Sequence, residues 1–114
     1  MLTRSLGFAV GLPMQIVIND ATSPATVVLT GRLDILGAEV IALPLAALSG
    51  AKDSIVIDMA GVSFIASMGL RHLVSAAKTV RRRGGSLVLR NPTVPVVEVI
   101  AASGLIDLLP IADA

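Results

Sequence analysis

The stretch Asp58-Met-Ala-Gly-Val-Ser-Phe-Ile-Ala-Ser-Met-Gly-Leu70 decides how the rest of the chain is interpreted. It begins at the end of a short apolar run, residues 54–58, whose composition is typical of a buried parallel strand. It leads into an amphipathic run, residues 67–83, that has helical spacing. We therefore expect a strand, a loop containing Gly61, and a helix with Ser67 at its N-cap. A hydroxyl there lies at the positive end of the helix dipole, where it can cap the helix or carry a phosphate.

The composition indicates one domain with a large apolar core. The chain has 114 residues, of which 54% are hydrophobic, 15% charged and only 2% aromatic. This balance favours helices packed on a sheet over an all-β sandwich. The mean hydropathy of +0.88 is high for a soluble protein. Because no apolar run reaches the length of a membrane span, we expect no membrane insertion and instead an exposed apolar surface that a partner covers.

The order of predicted elements is β-β-α-β-α-β-α, an α/β domain. Strands that alternate with helices predict a single mixed sheet, with the first strand antiparallel and the helices mainly on one face. Turn residues and hydrophobic periodicity place strands at 15–19, 25–33, 54–58 and 86–90, and helices at 36–48, 67–83 and 94–102.

Residues 1–13 are predicted to form a loose N-terminal arm, and residues 14–114 the folded domain. We prefer an arm to a secretory signal because Gly7 and Gly11 interrupt the apolar stretch and no convincing cleavage site follows. The sequence leaves open whether Met1 or Met14 is the native start.

The two long helices are predicted to bury one face each. The second has a clear 3.6-residue spacing of apolar side chains, at Leu70, Leu73, Val74, Ala77 and Val80. For the first we expect the buried face to hold Leu36, Val40, Leu43, Ala47 and Leu48, with a kink or late restart at Pro44 because proline lacks an N–H.

The chain lacks the residue sets that enzymes and metal sites use. It has no cysteine, so it has neither a disulfide nor a thiol nucleophile, and its single histidine, His72, excludes a multi-histidine metal site within one chain. No pair of acids stands in a catalytic motif. We therefore expect a protein that is not an enzyme and has no cofactor, no metal and no catalytic residue.

Residues 71–90 contain six of the nine basic side chains and no acid. A nucleic-acid interface is one interpretation. We favour a solvated face or an acidic protein partner over nucleic acid, because no aromatic side chain stands nearby to stack bases and the formal net charge is only +1. The six are Arg71, Lys78, Arg81, Arg82, Arg83 and Arg90.

The stretch 58–70 resembles the signature of the STAS domain, the fold of bacterial anti-sigma-factor antagonists. The family pattern is Asp-Leu-Ser-Gly-Val, two or three further residues, and Asp-Ser-Ser-Gly-Leu. Gly31-Arg-Leu-Asp34 and Ser103-Gly104-Leu105 also look like family elements, so the resemblance covers about residues 14–112. The matching positions in the signature are Asp58, Gly61, Val62, Ser67, Gly69 and Leu70.

The resemblance implies that Ser67 is the phosphoacceptor of a cytoplasmic bacterial switch protein. In the family, the unphosphorylated antagonist binds an anti-sigma serine kinase and so frees a sigma factor. Phosphorylation by that kinase breaks the complex, and a phosphatase resets it. The implied partners are this kinase and, where the cycle exists, the phosphatase, while homo-oligomerisation stays open. Ser67 as a simple helix cap remains the alternative.

The resemblance also assigns roles to residues around Ser67. Asp58, Gly61 and Gly69 would support the site structurally. Two positions depart from the family pattern, since Ala66 replaces the usual Asp and Met68 the usual Ser or Thr. These departures keep a second function open, a STAS subunit bound permanently in another assembly, such as a lipid-trafficking transport complex, without a phosphate cycle. The residues predicted to contact the partner are Asp34, Ala66, Ser67, Met68 and Arg71.

Overall fold

The computed structural model describes residues 3–6 and 14–112. It shows one α/β domain with a six-stranded mixed sheet in the order β1-β2-β3-β4-β5-β6. The first three strands are antiparallel neighbours, and β3 to β6 run parallel. This confirms the predicted fold class. The elements are β1 (Thr3–Leu6), β2 (Met14–Asn19), β3 (Ala25–Leu33), α1 (Ile35–Ala51), β4 (Ser54–Ile65), α2 (Ser67–Arg82), β5 (Ser86–Arg90), α3 (Val94–Ala102) and β6 (Ile111–Ala112).

The core lies between the sheet and the helices on one face. In β3, Val27 and Leu29 are buried, whereas Val28 and Thr30 on the opposite face are exposed. Most of the buried strand residues belong to one apolar cluster that also contains buried residues of all three helices. Right-handed connections between successive parallel strands place the helices together in this way.

The strand β1 is an element that the sequence pattern did not predict. Its residues Thr3 to Leu6 pair with Asn19 to Ile16 of β2. Four residues are too few to show a period, and here the neighbouring strand edge supplies the hydrogen bonds. Of the predicted arm, residues 1–2 and 7–13 lie outside the described residues.

The loop predicted around Gly61 is part of β4. This strand continues to Ile65, well beyond the predicted end at residue 58. It stays paired with β3 through two register shifts, with Gly61 opposite Thr30 and Ile65 opposite Leu33. The prediction was wrong here because the partner strand β3 is long enough to hold the irregular segment in the sheet.

The predicted buried face of α1 was wrong for most of its residues, although Leu48 is buried and Val40 half-buried as predicted. The helix runs unbroken past Pro44, and Leu36 and Leu43 are 59% and 82% exposed. The helix is apolar on all sides, so periodicity cannot select a face. Gly37 selects it instead, because a side chain there would collide with the carbonyl oxygen of Arg32. The residues that α1 buries are Gly37, Ala38, Ile41, Leu45, Leu48 and Ser49.

The helix α2 buries the face that its sequence predicted, apart from Val74, which is only half-buried. Its C-terminal end is fastened to α1 by Arg83. One guanidinium nitrogen of Arg83 donates to the carbonyl oxygens of Ser49 (3.0 Å) and Lys52 (2.9 Å). The other lies 3.0 Å from the carboxylate of Asp53. This clamp holds the C-terminal ends of both helices together.

Candidate functional site

Three helices begin at the same edge of the sheet. The strands β3, β4 and β5 are parallel, so their carboxyl ends meet at one edge, and α1, α2 and α3 start just beyond them. Leu33 pairs with Ile65, and the N–H of Ala66 donates to the carbonyl of Leu33 at 2.9 Å. The start of α1 and the start of α2 therefore lie side by side, which brings Asp34 and Ser67 to one surface.

Ser67 is exposed and occupies the first position of α2. The N-cap is Ala66, whose carbonyl accepts the first helical hydrogen bond, from the N–H of Leu70 at 3.0 Å. The prediction that Ser67 caps the helix was wrong by one residue. Because alanine has no acceptor, no side chain caps this end of α2. The first N–H groups of the helix thus lack the partner that a capping side chain would give.

Asp34 is the N-cap of α1. Its Oδ1 accepts a hydrogen bond from the N–H of Gly37 at 2.9 Å. This bond, with help from the Arg32 guanidinium 3.6 Å away, lowers the pKa of the Asp34 carboxyl. Asp34 therefore caps its own helix, and it lies at the same edge of the sheet as Ser67.

Arg32 and Phe64 form a contact that the sequence did not predict. They are paired across β3 and β4, and the guanidinium carbon lies 4.6 Å from the ring centroid. The only signals for it were the Arg in the Gly-Arg-Leu-Asp stretch and the aromatic residue just before the helix. Arginine on an aromatic face is a combination enriched at protein interfaces.

Exposed apolar side chains lie at the same edge of the sheet as Ser67. Among the described residues nine large hydrophobic side chains are exposed, and five of them lie at this edge, on the first turns of the helices or the end of β4. An exposed apolar patch with a polar border is typical of a protein docking surface. We call these five the apolar rim: Ile35 (65% exposed), Leu36 (59%), Phe64 (39%), Met68 (39%) and Val94 (71%).

The other predicted partner contacts lie on the same surface. Ala66 is half-buried at the N-cap, and Met68 follows Ser67 in the first turn of α2. Arg71 is exposed one helical turn beyond Ser67. The structure thus brings all five predicted contact residues, Asp34 among them, to one edge.

Close packing supports the start of α2 from below. Gly69 is buried, and a side chain there would overlap the side chain of Leu33. The start of α3 is tied to the same region, because the hydroxyl of Thr93 donates to the carbonyl of Val62 at 2.8 Å. These contacts fix the positions of the helix ends that carry the rim.

Asp58 and Gly61 lie further back along β4. The Oδ1 of Asp58 accepts a hydrogen bond from the N–H of Ala60 at 3.0 Å, which shapes the irregular part of the strand. A side chain at Gly61 would press on Thr30 of β3 at 3.2 Å. Both residues therefore act on the backbone geometry between the regular strand and the site.

Residues 14–114 match the sequence family of the STAS domain. The chain belongs to the STAS family. The resemblance carried by residues 58–70 is thereby confirmed. Within the described part of this STAS domain, no helix is long and apolar enough to cross a membrane. A comparison with curated protein sequences finds no match.

Solved anti-sigma factor antagonists share the fold of this STAS domain. SpoIIAA in its unphosphorylated form is 25% identical, with a TM-score of 0.70 over 86% of this chain and 88% of that chain. An antagonist from Mycobacterium paratuberculosis is 18% identical, with a TM-score of 0.80 over 94% and 92% of the two chains. The same fold occurs within the transporter SLC26A9, where the match, at 18% identity and a TM-score of 0.64, covers 92% of this chain and 20% of that one.

Proposed function

We propose that this STAS domain is an anti-sigma-factor antagonist that docks on an anti-sigma serine kinase and is released by phosphorylation of Ser67. One observation carries the proposal: an exposed serine at the first position of a helix lies at the same edge of the sheet as the apolar rim. The likeness to SpoIIAA supports the same role. Burial of the rim would supply the binding free energy, and phosphorylation of Ser67 would reduce it.

The physics of the switch follows from the position of Ser67. A phosphoserine adds a charge of about −1.5 to −2 at neutral pH. Within the domain this charge meets the positive end of α2, whose first N–H groups no side chain caps, so the fold tolerates it. In a complex the same charge would be desolvated against apolar side chains, which is unfavourable without a partner charge. Phosphorylation would therefore weaken docking without unfolding the domain.

The test compares Ser67→Ala with Ser67→Asp. The partner is the protein that co-purifies with the native chain and is identified by mass spectrometry, and binding is measured by titration calorimetry. Ser67→Ala should bind as wild type does, and Ser67→Asp should bind about tenfold more weakly or worse. Ser86→Asp introduces the same charge at the opposite edge of the sheet and should leave binding unchanged.

Stability serves as the second readout in this test. Since Ser67 is not the cap, Ser67→Ala should change the free energy of unfolding by only a few tenths of a kcal/mol. Ser67→Asp should be as stable as wild type or slightly more so, because the carboxylate faces the helix dipole. Equal binding of the Ala and Asp variants would place residue 67 outside the interface and refute the switch.

A second function is favoured by Ala66 and Met68. These replace the polar residues of the family pattern, so the surface beside Ser67 is more apolar and suits permanent docking. In that case the domain is a constitutive subunit of a larger assembly, such as a lipid-trafficking transport complex. Intact mass measurement of the natively expressed protein separates the two functions. A phosphorylated fraction that is absent from the complex supports the switch, and a complex that never contains or loses phosphate supports the constitutive subunit.

A further inference from the structure

The outward face of α2 carries a row of cations that the rim does not include. Three side chains with positive charge lie along it at spacings of seven and four residues, which is about 10 Å and 6 Å along the helix. With Val74 and Ser75 they line a shallow groove of about 220 Å³. We call Arg71, Lys78 and Arg82 the basic stripe.

Within the part of the chain that the structure describes, the basic stripe forms no ion pair with an acidic side chain. The arginines that do form ion pairs there are Arg32 and Arg83. Arg81, on the neighbouring side of α2, donates to the carbonyl oxygen of Asp107 at 2.9 Å. Among residues 3–6 and 14–112, the stripe makes one long side-chain hydrogen bond, which Arg82 donates to the hydroxyl of Thr79 at 3.4 Å. Its charges are thus available to an outside ligand.

The groove continues into a second, smaller cleft. Ser75 borders both, and the cleft of about 100 Å³ lies between α1 and α2. Ala42, Ala46 and Ala76 form its apolar part, and Ser49, His72 and Thr79 form its polar part. A partner lying along the stripe can place a small apolar side chain against the three alanines. The surface combines a row of cations with an adjacent, partly apolar cleft, which complements one amphipathic helix.

We infer that the outward face of α2 binds an acidic amphipathic helix of a protein partner. The inference rests on charge complementarity. Three cations that form no ion pair among the described residues lie in a row along α2, and carboxylates spaced at seven and four residues on a partner helix would match them. Nucleic acid fits less well, because no aromatic side chain lines the groove and the formal net charge of the whole chain is only +1. This surface goes beyond the proposed function and does not depend on a phosphate at Ser67.

The test uses the full unphosphorylated chain and two synthetic helical peptides of identical composition. One carries three glutamates in the seven-then-four spacing, with a leucine beside them, and the other has the glutamates distributed around the helix. Binding is followed by NMR titration at low ionic strength. The matched peptide should shift the amide signals of α2 along the stripe, and the scrambled peptide should bind about tenfold more weakly.

Variants identify the residues responsible. The double variant Arg71→Gln with Lys78→Gln should lower the affinity for the matched peptide about tenfold. Lys52→Gln removes a cation at the end of α1, away from the groove, and should have no effect. Equal binding of both peptides would overturn the inference, because charge alone would then explain it. So would tighter binding of a single-stranded DNA oligonucleotide of the same charge through the same residues.

Discussion

At the scale of single residues, Ala66 departs from the family pattern and leaves α2 without a side-chain cap. The aspartate that usually precedes the acceptor serine would stand at this position, which is the N-cap of α2. Its replacement therefore removes a helix cap beside the site as well as a negative charge. The helix that carries Ser67 begins without the hydrogen bond that Asp34 provides for α1.

We predict that Ala66→Asp stabilises the domain by about 1 kcal/mol. The new carboxylate would accept a hydrogen bond from the first turn of α2 and face its dipole. Urea denaturation measures the change in the free energy of unfolding. Ala66→Asn supplies the acceptor without the charge and should retain most of the gain. A loss of stability in both variants would mean that the backbone at residue 66 cannot place a cap.

The lowered pKa of Asp34 predicts that the stability of the domain falls at low pH. Its pKa is lowered in the folded state from the usual 3.8, so its contribution is present above that value and is lost as the pH falls through the lowered pKa. Asp34→Asn keeps an oxygen that can cap α1 but does not titrate. The variant should melt below wild type at neutral pH, and the difference should shrink in strong acid. A difference that stays constant with pH would show that the carboxylate charge contributes nothing.

At the scale of elements, the sequence correctly predicted the strands and helices whose ends are marked by neighbouring residues in the chain. The strand β5 and the helix α3 were predicted with their observed bounds, because Gly and Pro residues mark their ends. The buried face of α1 was not predictable from periodicity, since almost every side chain of that helix is apolar. Its orientation depends on a contact between Gly37 and the end of β3, which only the fold brings together.

The orientation of α1 can be checked with two substitutions on the same helix. Ile41 is fully buried, and Ile41→Ala should cost about 2–5 kcal/mol in the free energy of unfolding. Leu43 is 82% exposed, and Leu43→Ala should change it by less than about 0.5 kcal/mol. Chemical denaturation of both variants gives the comparison. Similar losses at the two positions would place Leu43 in the core, as the sequence pattern alone had predicted.

At the scale of the whole molecule, residues that are distant in sequence assemble the site. The sequence placed Ser67 at a helix start and Asp34 at the end of a strand, and parallel pairing of β3 with β4 puts them side by side. The apolar rim was not predictable residue by residue, because exposure of Ile35 or Val94 depends on how three helix ends are arranged. Only the high mean hydropathy indicated in advance that such a surface exists.

The strand β1 bears on the proposal that residues 14–114 form the folded domain. Within residues 14–112, whose burial the structure describes, the apolar cluster already joins β2 to β5 with all three helices, so a chain that begins at Met14 should still fold cooperatively. Its loss of pairing with β1 should lower the melting temperature by several degrees and leave β2 as an open edge that promotes association. Calorimetry and light scattering measure the two effects. A shortened chain that cannot fold would show that residues 1–13 belong to the domain.

The uncapped start of α2, opposite the Arg83 clamp, has a consequence for amide hydrogen exchange. A helix that is clamped at one end and lacks a side-chain cap at the other should open more easily from the uncapped end, at a smaller cost than global unfolding. Amide protons should therefore exchange fastest at Leu70 and more slowly toward Val80, and Ala66→Asp should flatten this gradient. Each such opening would release Ser67 from the helix for a moment, as part of an extended segment that a kinase cleft can take in.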